Sequence, residues 1–308
     1  VSFNTMKNLI HSEGQLSVHE TLNLLCKSSE FADLNLKHQE KRLYKEINSS
    51  PILRYPSKLK DLGKKDKVKL IIQFELGGLD FPTYNGALKL HSSFLGDKFY
   101  VFKHIYRIMM ALLDVFIEKQ DAKSLHSLSY LLRCINGKCW EDSPNELRQL
   151  DGIGPASVKK FCTHNILSLK DAKALTSSQI EYFLGLKTGA GNKIKRNIAS
   201  VPNLQLNLEF ENEELAKDRT SVEVTLNISI DVANALIASM WKNKLVYIHL
   251  TTDDSNGHLL DFRRIPVSKF KTSGLKSFEI SYSTKDLNQV ICCHASADMI
   301  ASVKTKTS

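Results

Sequence analysis

The stretch LRQLDGIGPASVKKF, residues 147–161, decides how the middle of this chain folds. Gly152 and Gly154 allow a tight turn in which the backbone can approach a ligand, and Ile153 between them is expected to fill an apolar seam. Pro155 suits the first position of a following helix, where its missing N–H is not needed. The pattern predicts a helix that ends at Leu150, a short turn and a second helix, which together form a helix-hairpin-helix.

The start of this second helix is the first candidate for nucleic-acid binding. Free backbone N–H groups at a helix start can hold a phosphate, and the following lysines add positive charge. Such contacts do not depend on base sequence. The candidate DNA-binding residues of this stretch are Gly152, Ile153, Gly154, Ser157, Lys159 and Lys160. A hairpin of this kind also serves as a packing unit that contacts no ligand, and that alternative stays open.

A second glycine-rich turn, GLKTGAGNK, occupies residues 185–193. Lys193, Lys195 and Arg196 lie on the helix predicted to follow it, and they are further DNA-binding candidates unless that face is simply solvated. The spacing does not fit the G-x-x-x-x-G-K-[ST] pattern of a nucleotide-binding loop. We therefore expect this chain alone to hydrolyse no ATP and to bind no cofactor.

Residues 1–140 have the apolar spacing of helices. Ser17 and Glu20 form a capping-box pattern at the start of one helix, which is expected to run to about Phe31. Further helices are predicted over residues 33–48, 98–118 and 122–135. The expectation is a helical bundle over residues 1–140 and a helix-hairpin-helix domain over residues 141–203.

After Pro202 the apolar pattern changes to alternation. Residues 204–210 and 222–228 alternate strictly, and five further short stretches are rich in β-forming residues. These stretches are residues 245–250, 259–262, 278–282, 290–293 and 299–303. About seven short strands in about 100 residues predict an all-β sandwich of immunoglobulin or fibronectin type over residues 204–308.

The net charge of +9 is unevenly distributed. Residues 1–140 carry 21 basic and 14 acidic side chains, and residues 141–203 carry 9 and 6. Residues 204–308 carry 12 basic and 13 acidic side chains. A polyanionic partner is therefore expected on the first two thirds of the chain, although a merely soluble basic surface has the same composition. No apolar stretch is long enough for a membrane span.

The sequence offers no clear catalytic or metal site. Its six cysteines lack the closely spaced pairs of zinc sites, so buried free cysteines are the better interpretation and no metal is expected. Asp171 lies about one helix after the hairpin, where a DNA glycosylase would place its catalytic carboxylate. It also follows Ser168 at a predicted helix start, where an aspartate commonly serves as a capping group.

A helical bundle, a helix-hairpin-helix and a β-sandwich in this order resemble the Sec-sixty-three homology region of Ski-like superfamily-two helicases. Residues 1–6 look like the start of that region, and residues 97–114 look like its central helix. Residues 75–78, residues 139–144 and the spacing to Leu150 are similar to the HFM branch, the meiotic crossover DNA helicases. The resemblance covers nearly the whole chain. Since the chain starts at Val1, we expect it to be part of a longer protein.

The resemblance implies the non-motor C-terminal module of an ATP-dependent 3′-to-5′ DNA helicase that acts in meiotic recombination and crossover formation, in the nucleus. ATP and magnesium would belong to the upstream motor domains, and whether the chain itself takes part in catalysis is left open. The expected partners are single-stranded or branched DNA and those motor domains, with no membrane. The alternative is a protein-binding scaffold from a spliceosomal or other RNA helicase of the same group, in which the hairpin is purely structural.

The resemblance also adds site residues. In this family the long helix of the bundle follows the translocating strand, which makes Lys103 and Arg107 DNA-binding candidates. The near-neutral sandwich would bind proteins, and a MutL-type mismatch-repair heterodimer is the partner that the family suggests. Arg263 and Arg264 are the partner-binding candidates, because arginine is enriched at interface hot spots. They could equally be two exposed charges of an edge strand.

Overall fold

The computed structural model describes residues 1–58, 62–217, 220–234, 238–286 and 288–308. Helices occupy roughly the first two thirds of the chain and antiparallel strands the last third. The predicted order of a helical part and a β part is therefore confirmed. Across the described ranges, no helix combines the length and apolarity that crossing a bilayer requires.

The first 140 residues, called the helical region below, form six α-helices among the described residues. These are α1 (Phe3–Ile10), α2 (Val18–Cys26), α3 (Lys41–Asn48), α4 (Lys64–Gly77), α5 (Leu88–Glu118) and α6 (Ala122–Gly137). The capping box at Ser17 and Glu20 is present and starts α2. The helix ends earlier than predicted, at Cys26, and a short 3-10 helix covers Ser29–Phe31.

Two other predicted helices have different bounds. The stretch expected to be helical from residue 33 becomes α-helical only at Lys41. The stretch expected to start at residue 98 already starts at Leu88, so α5 has 31 residues. Polar residues dominate the first three turns of α5, and Phe94 alone among them is deeply buried, so the apolar period is weak there.

The helical region packs around one side of α5. Its residues Val101, Ile105, Ile108, Met109 and Leu112 are fully buried, and their spacing places them on one face of the helix. Apolar residues of α2, α4 and α6 complete this core.

Residues 141–203 consist of short helices. They are a 3-10 helix (Pro144–Gln149), α7 (Pro155–Thr163), α8 (Leu169–Ala174), α9 (Ser177–Leu184) and α10 (Gly191–Ala199). Their buried apolar residues, among them Leu147, Phe161 and Ile180, belong to the same core as the strands that follow. This segment and the strands therefore share one apolar interior.

The strand region, residues 204–308, contains two antiparallel sheets and a small strand pair among the described residues. Its elements are β1 (Leu204–Leu215), β2 (Val222–Val232), β3 (Met240–Trp241), β4 (Lys244–Leu245), β5 (Tyr247–Asp254), β6 (Leu259–Pro266), α11 (Phe270–Ser273), β7 (Lys276–Thr284), β8 (Ile291–Ala297) and β9 (Lys304–Thr307). The strand orders are β1-β2-β7 and β6-β5-β8-β9, and β3 pairs with β4. In β2 buried residues alternate with more exposed ones, as expected for a sheet with one buried face.

The predicted strand at residues 299–303 is wrong. These residues form the turn between β8 and β9, and Ser302 has a left-handed φ of 65°. The run is apolar because it is buried against the helices, not because it is extended. Gln149 exchanges two hydrogen bonds with the backbone of Ala301, at 3.0 and 3.2 Å.

Further hydrogen bonds join the helical region to the strands. The Asn136 side chain donates to the carbonyl of Asp298 at 2.9 Å. At the end of α5, the N–H of Leu259 donates to the carbonyl of Gln120, also at 2.9 Å. Leu259 itself belongs to the core of the helical region. Helices and strands are thus held together by directional contacts as well as by shared apolar surface.

Candidate nucleic-acid interface

The glycine turn, residues 151–154, has the geometry that its sequence predicts. Gly152 has a left-handed φ of 83°, which glycine adopts without strain. Ile153 is 5% exposed, and its N–H donates to the carbonyl of Leu150 at 3.2 Å. Gly154 has extended backbone, and apart from Gly154 itself and its two chain neighbours no described residue has an atom within 4 Å of where a Cβ would stand. Glycine at 154 therefore leaves open space in front of the start of α7.

The first turn of α7 offers unused hydrogen-bond donors. The backbone N–H groups of Gly154, Ala156 and Ser157 donate to no residue that the structure describes. The helix dipole adds partial positive charge at this end. Such a helix start can accept an anionic oxygen. Lys159, one turn further, is exposed and makes no ion pair with a described residue.

Lys160 has a different role from its neighbour. Its Nζ donates to the carbonyl of Leu184 at 2.6 Å, at the C-terminal end of α9. A lysine at this position compensates both the unpaired carbonyls and the negative end of the helix dipole. The two predicted lysines therefore differ in role, because Lys160 is engaged within the chain and only Lys159 is available to a ligand.

The second glycine-rich turn is closed by the chain itself. Glu181 Oε1 accepts hydrogen bonds from the N–H groups of Gly189 and Gly191, at 2.7 and 2.9 Å. Its carboxylate thus occupies the start of α10, where a phosphate would otherwise bind. Lys195 donates to the carbonyl of Lys173 at 2.8 Å, whereas Lys193 remains exposed. Arg196 is exposed and contacts the carbonyl of Asn192 on its own helix at 3.4 Å.

Lys103 and Arg107 lie on the exposed face of α5. Arg107 contacts His104 at 3.4 Å, one turn earlier on the same helix. Lys103 faces the β3–β4 turn and lines a groove with Lys138, Lys242 and Lys244. Lys138, Lys242 and Lys244 are not among the residues predicted from the sequence. The available signal was the segment from Trp241 to Lys244, a strand pair joined by two residues with left-handed φ.

Arg263 and Arg264 do not form one patch. As neighbours in β6 they point to opposite faces of the sheet, and 34% of each side chain is exposed. Arg263 pairs with Asp261 at 2.7 Å and lies over the ring of Phe278. Its partner-binding role stays a prediction.

Arg264 joins the sheet to α5. Its guanidinium lies 3.9 Å from the ring centre of Tyr247 and contacts the Tyr106 hydroxyl at 3.4 Å. It also lies 3.5 Å from Asp298. The partner-binding role of Arg264 likewise stays a prediction, and the structure places it in contacts within the chain.

Asp171 caps a helix. Its carboxylate accepts from the Leu167 N–H at 3.0 Å, and Ser168 Oγ accepts from the Asp171 N–H. A hydrogen bond from the Ser168 side chain to the carboxylate, followed by that from the Leu167 N–H, lowers the pKa of the partly exposed Asp171 carboxyl. A general acid or base that works near neutral pH needs a pKa raised towards 7. The geometry therefore supports capping and gives the glycosylase alternative no support.

The fold also brings together His126, Asp253 and His294, from α6, β5 and β8. Asp253 Oδ1 lies 3.1 Å from His126 Nε2 and 3.5 Å from His294 Nε2. Residues of these types can hold a metal ion. Each histidine already has the carboxylate as its partner, and this contact joins helix to sheet.

The cysteines have the properties of core residues. All six are free, and four of them are buried. Burial raises the pKa of Cys134 to about 12 and that of Cys293 to about 11, so both stay protonated at neutral pH. A thiol must lose its proton to bind a metal or attack a substrate.

Comparison with known proteins gives the family of the chain. The family model described as "Sec63 Brl domain" matches residues 1–307. The chain is 41% identical over 288 residues to "ATP-dependent DNA helicase MER3" of Saccharomyces cerevisiae, covering 91% of this chain and 24% of that protein. It is 26% identical over 296 residues to "Probable ATP-dependent DNA helicase HFM1" of Xenopus tropicalis, covering 94% and 21%.

A third relative is "ATP-dependent DNA helicase homolog MER3" of Arabidopsis thaliana, 28% identical over 66% of this chain and 18% of that protein. The chain thus spans about a fifth to a quarter of the length of the curated relatives it matches. The match to the family model runs from the first helix to the last strand, and the resemblance read from the sequence is confirmed. The chain belongs to the Sec63 Brl domain family.

Proposed function

We propose that this chain is the non-motor C-terminal module of an ATP-dependent 3′-to-5′ DNA helicase that acts in meiotic recombination and crossover formation. The observation that carries the proposal is the 41% identity, over 91% of the chain, to a protein named as an ATP-dependent DNA helicase. ATP and magnesium would bind to the motor domains of the longer protein, which would work on chromosomal DNA in the nucleus.

The proposed architecture has three domains, namely a helical bundle (1–140), a helix-hairpin-helix domain (141–203) and an immunoglobulin or fibronectin-like sandwich (204–308). The strand orders β1-β2-β7 and β6-β5-β8-β9 support the sandwich, because they divide one chain into two antiparallel sheets. The 3-10 helix, the glycine turn and α7 support the hairpin.

The proposed DNA contact of the hairpin uses the start of α7. The unused N–H groups of Gly154, Ala156 and Ser157 would bind one phosphate, and Lys159 would add charge to the same site. A hairpin that binds in this way reads no base sequence, which suits a helicase that must move over any sequence.

The proposed partner surface is the strand region, whose charge is close to balanced. A MutL-type heterodimer is the protein partner that we propose for it. Arg263 and Arg264 are the proposed contact residues, and each also makes contacts within the chain, Arg263 with Asp261 and Arg264 with Asp298.

A salt titration of DNA binding tests the proposed function. A single-stranded oligonucleotide should bind the chain with a dissociation constant that rises steeply with salt, and Lys159→Glu should make the slope of log K against log salt less steep by about 1. Lys41→Glu, an exposed lysine of α3 with the same charge change, is the matched control.

A protein scaffold with a structural hairpin is the second candidate. The internal contacts of Lys160 and Lys195 favour it, because both of these predicted DNA-binding lysines donate to backbone carbonyls within the chain. A wild-type chain that binds no oligonucleotide at any salt concentration would establish this second function over the first.

A further inference from the structure

Two histidines and one aspartate from three separate elements converge where α6 meets the four-stranded sheet. They are His126 of α6, Asp253 of β5 and His294 of β8, and their ligand atoms all lie within 4.8 Å of one another. We call these residues the His-Asp-His cluster. Elsewhere in the ranges that the structure describes, no three histidine, cysteine or carboxylate side chains come together in this way. Because 127 positions of chain separate His126 from Asp253, only the folded chain brings them together.

The pairing of β5 with β8 places the aspartate and one histidine on the same face of the sheet. Thr251 pairs directly with His294, so these two side chains share a face. Asp253 follows Thr251 by two residues along β5 and lies on that face as well. In the pairing with β6 the register shifts between Thr252 and Asp253. Such irregularities re-aim side chains and are common beside functional sites.

The distances within the cluster suit a shared metal ion. Asp253 Oδ1 lies 3.1 Å from His126 Nε2 and 3.5 Å from His294 Nε2. Tetrahedral ligands at zinc bond lengths of about 2.0–2.1 Å stand about 3.3 Å from one another. The two measured separations lie on either side of this value. The ring centres of the histidines are 4.2 Å apart, so only a small adjustment of the imidazoles is needed to admit the ion.

The histidines are also accessible and able to donate a lone pair. About a third of each side chain is exposed, 34% for His126 and 32% for His294, whereas Asp253 is buried beneath them. The pKa of His294 is lowered, first by burial and then by the charge of His126. Its imidazole is therefore neutral at pH 7, which is the form that binds a metal.

A cavity of about 590 Å³ opens beside the cluster, and both histidines line it. Arg133, Lys304 and Lys306 line the same cavity. Arg133 and Lys304 both pair with the carboxylate of Glu141, which reduces their repulsion of an incoming cation. The cavity leaves room for a further ligand on the ion, and its positive charges favour an anionic one.

We propose that the His-Asp-His cluster binds Zn²⁺, with His126, Asp253 and His294 as the protein ligands and a water molecule or anion from the cavity as the fourth. Two imidazoles and one carboxylate with one open position are an established set of zinc ligands. The ion would tie α6 to β5 and β8, so it would strengthen the contact between the helical region and the strand region. The proposal does not depend on DNA binding.

Calorimetric titration of the untagged 308-residue chain with zinc chloride, after treatment with a chelator, tests the site. We expect one equivalent of Zn²⁺ to bind. His126→Ala and His294→Ala should each lower the affinity at least about 100-fold, since even the hydrogen-bond partners of metal ligands contribute 10- to 100-fold. His258→Ala is the matched control and should bind as the wild type does. His258 also lies beside a carboxylate, that of Asp254 at 3.0 Å, but it is outside the cluster.

Two further measurements report the geometry and the effect of the ion. Co²⁺ in place of Zn²⁺ should give the strong visible absorption of a four-coordinate ion, and added Zn²⁺ should remove it. Zn²⁺ at about 100 times its Kd should raise the Tm by about 5 °C, because it binds the folded chain alone. His126→Ala should keep the far-UV circular dichroism of the wild type, since alanine favours a helix, and should lose both effects.

Several results would overturn the zinc site. A wild type that binds no Zn²⁺ does so, as does equal zinc affinity of the wild type and both variants of the cluster histidines. A loss of affinity in His258→Ala as large as that in His126→Ala would place the ion elsewhere. Equal stabilisation by magnesium chloride would show a general ionic effect, because Mg²⁺ prefers oxygen ligands. The weak absorption of six-coordinate Co²⁺ would contradict the proposed geometry. In each case the proposed DNA contact stands unaffected.

Discussion

Single residues decide which of the two glycine-rich turns can receive an anion. Both turns lead into a helix, and both are followed by basic residues. The α7 start keeps free N–H groups, whereas Glu181 fills the α10 start. The glycines and lysines of both turns can be recognised in the sequence, but the reach of Glu181 over eight to ten residues depends on how α9 packs on α10.

Glu181→Ala should destabilise the chain. The carboxylate accepts hydrogen bonds from Gly189 and Gly191, so its removal leaves two N–H groups of a helix start unpaired. We expect the free energy of unfolding to fall by about 1–2 kcal/mol, as for loss of a helix cap. Urea denaturation measures this, and Glu181→Gln, which keeps an acceptor oxygen, should lose less. Equal stability of wild type and Glu181→Ala would show that the α10 start needs no internal acceptor.

Asp298 should give the chain a pH-dependent stability. Burial raises its pKa to about 6, although the Tyr247 N–H and Arg264 act in the opposite direction. Because the folded value lies above the ordinary 3.8, the folded state favours the protonated acid. Asp298 therefore makes its full contribution to the free energy of unfolding below about pH 4, and this contribution is lost as pH rises to about 6 and beyond.

Asp298→Asn should remove this loss, because an amide does not ionise. Between pH 4 and pH 7 the variant should therefore gain about 3 kcal/mol relative to the wild type, the free energy of a shift of about two pKa units. Chemical denaturation at several pH values gives both curves, and effects of the other groups cancel in their difference. Parallel curves would mean that Asp298 ionises as easily in the folded as in the unfolded chain.

At the scale of elements, prediction from sequence succeeded where local signals act alone. The capping box at Ser17 and Glu20 starts α2, and Pro155 starts α7, because both signals operate within one helical turn. The turn at residues 299–303 was mistaken for a strand, since burial against Gln149 gives it an apolar pattern without any extended pairing. The groove at Lys242 was missed, because it forms only when α5 and the β3–β4 turn meet.

The two neighbouring lysines of α7, Lys159 and Lys160, should contribute differently to the stability of the chain. Lys160→Ala removes the bond to the carbonyl of Leu184 that ties α7 to α9, and it should lower the free energy of unfolding by about 1–2 kcal/mol. Lys159→Ala, the matched control, removes an exposed ammonium and should leave stability within about 0.5 kcal/mol of the wild type. Thermal and urea unfolding of both variants measure the difference. If the two variants unfold alike, α7 and α9 are not joined through Lys160.

At the scale of the molecule, the chain has two apolar cores that polar contacts join. The first belongs to the helical region, and the second is shared by residues 141–203 and the strands. Leu259 crosses from the strand region into the first core. Gln149 and Ala301, which are both buried, exchange their hydrogen bonds where helices meet strands. The composition of the sequence indicates three segments, but it contains no information about how firmly they are joined.

The two cores should unfold as one cooperative unit. The chain provides a reporter for each, because Trp140 is buried in the first core and Trp241 in the second. In Trp241→Phe and Trp140→Phe variants, the remaining tryptophan should show the same urea midpoint as far-UV circular dichroism of the same variant.

Gln149→Ala in these backgrounds leaves the backbone N–H and carbonyl of Ala301 unpaired at a buried junction, at a cost of about 2–4 kcal/mol. The weakened junction should separate the two tryptophan midpoints, whereas Gln179→Ala on the exposed side of α9 should not. Midpoints that already differ before Gln149 is changed would show that helices and strands are independent domains.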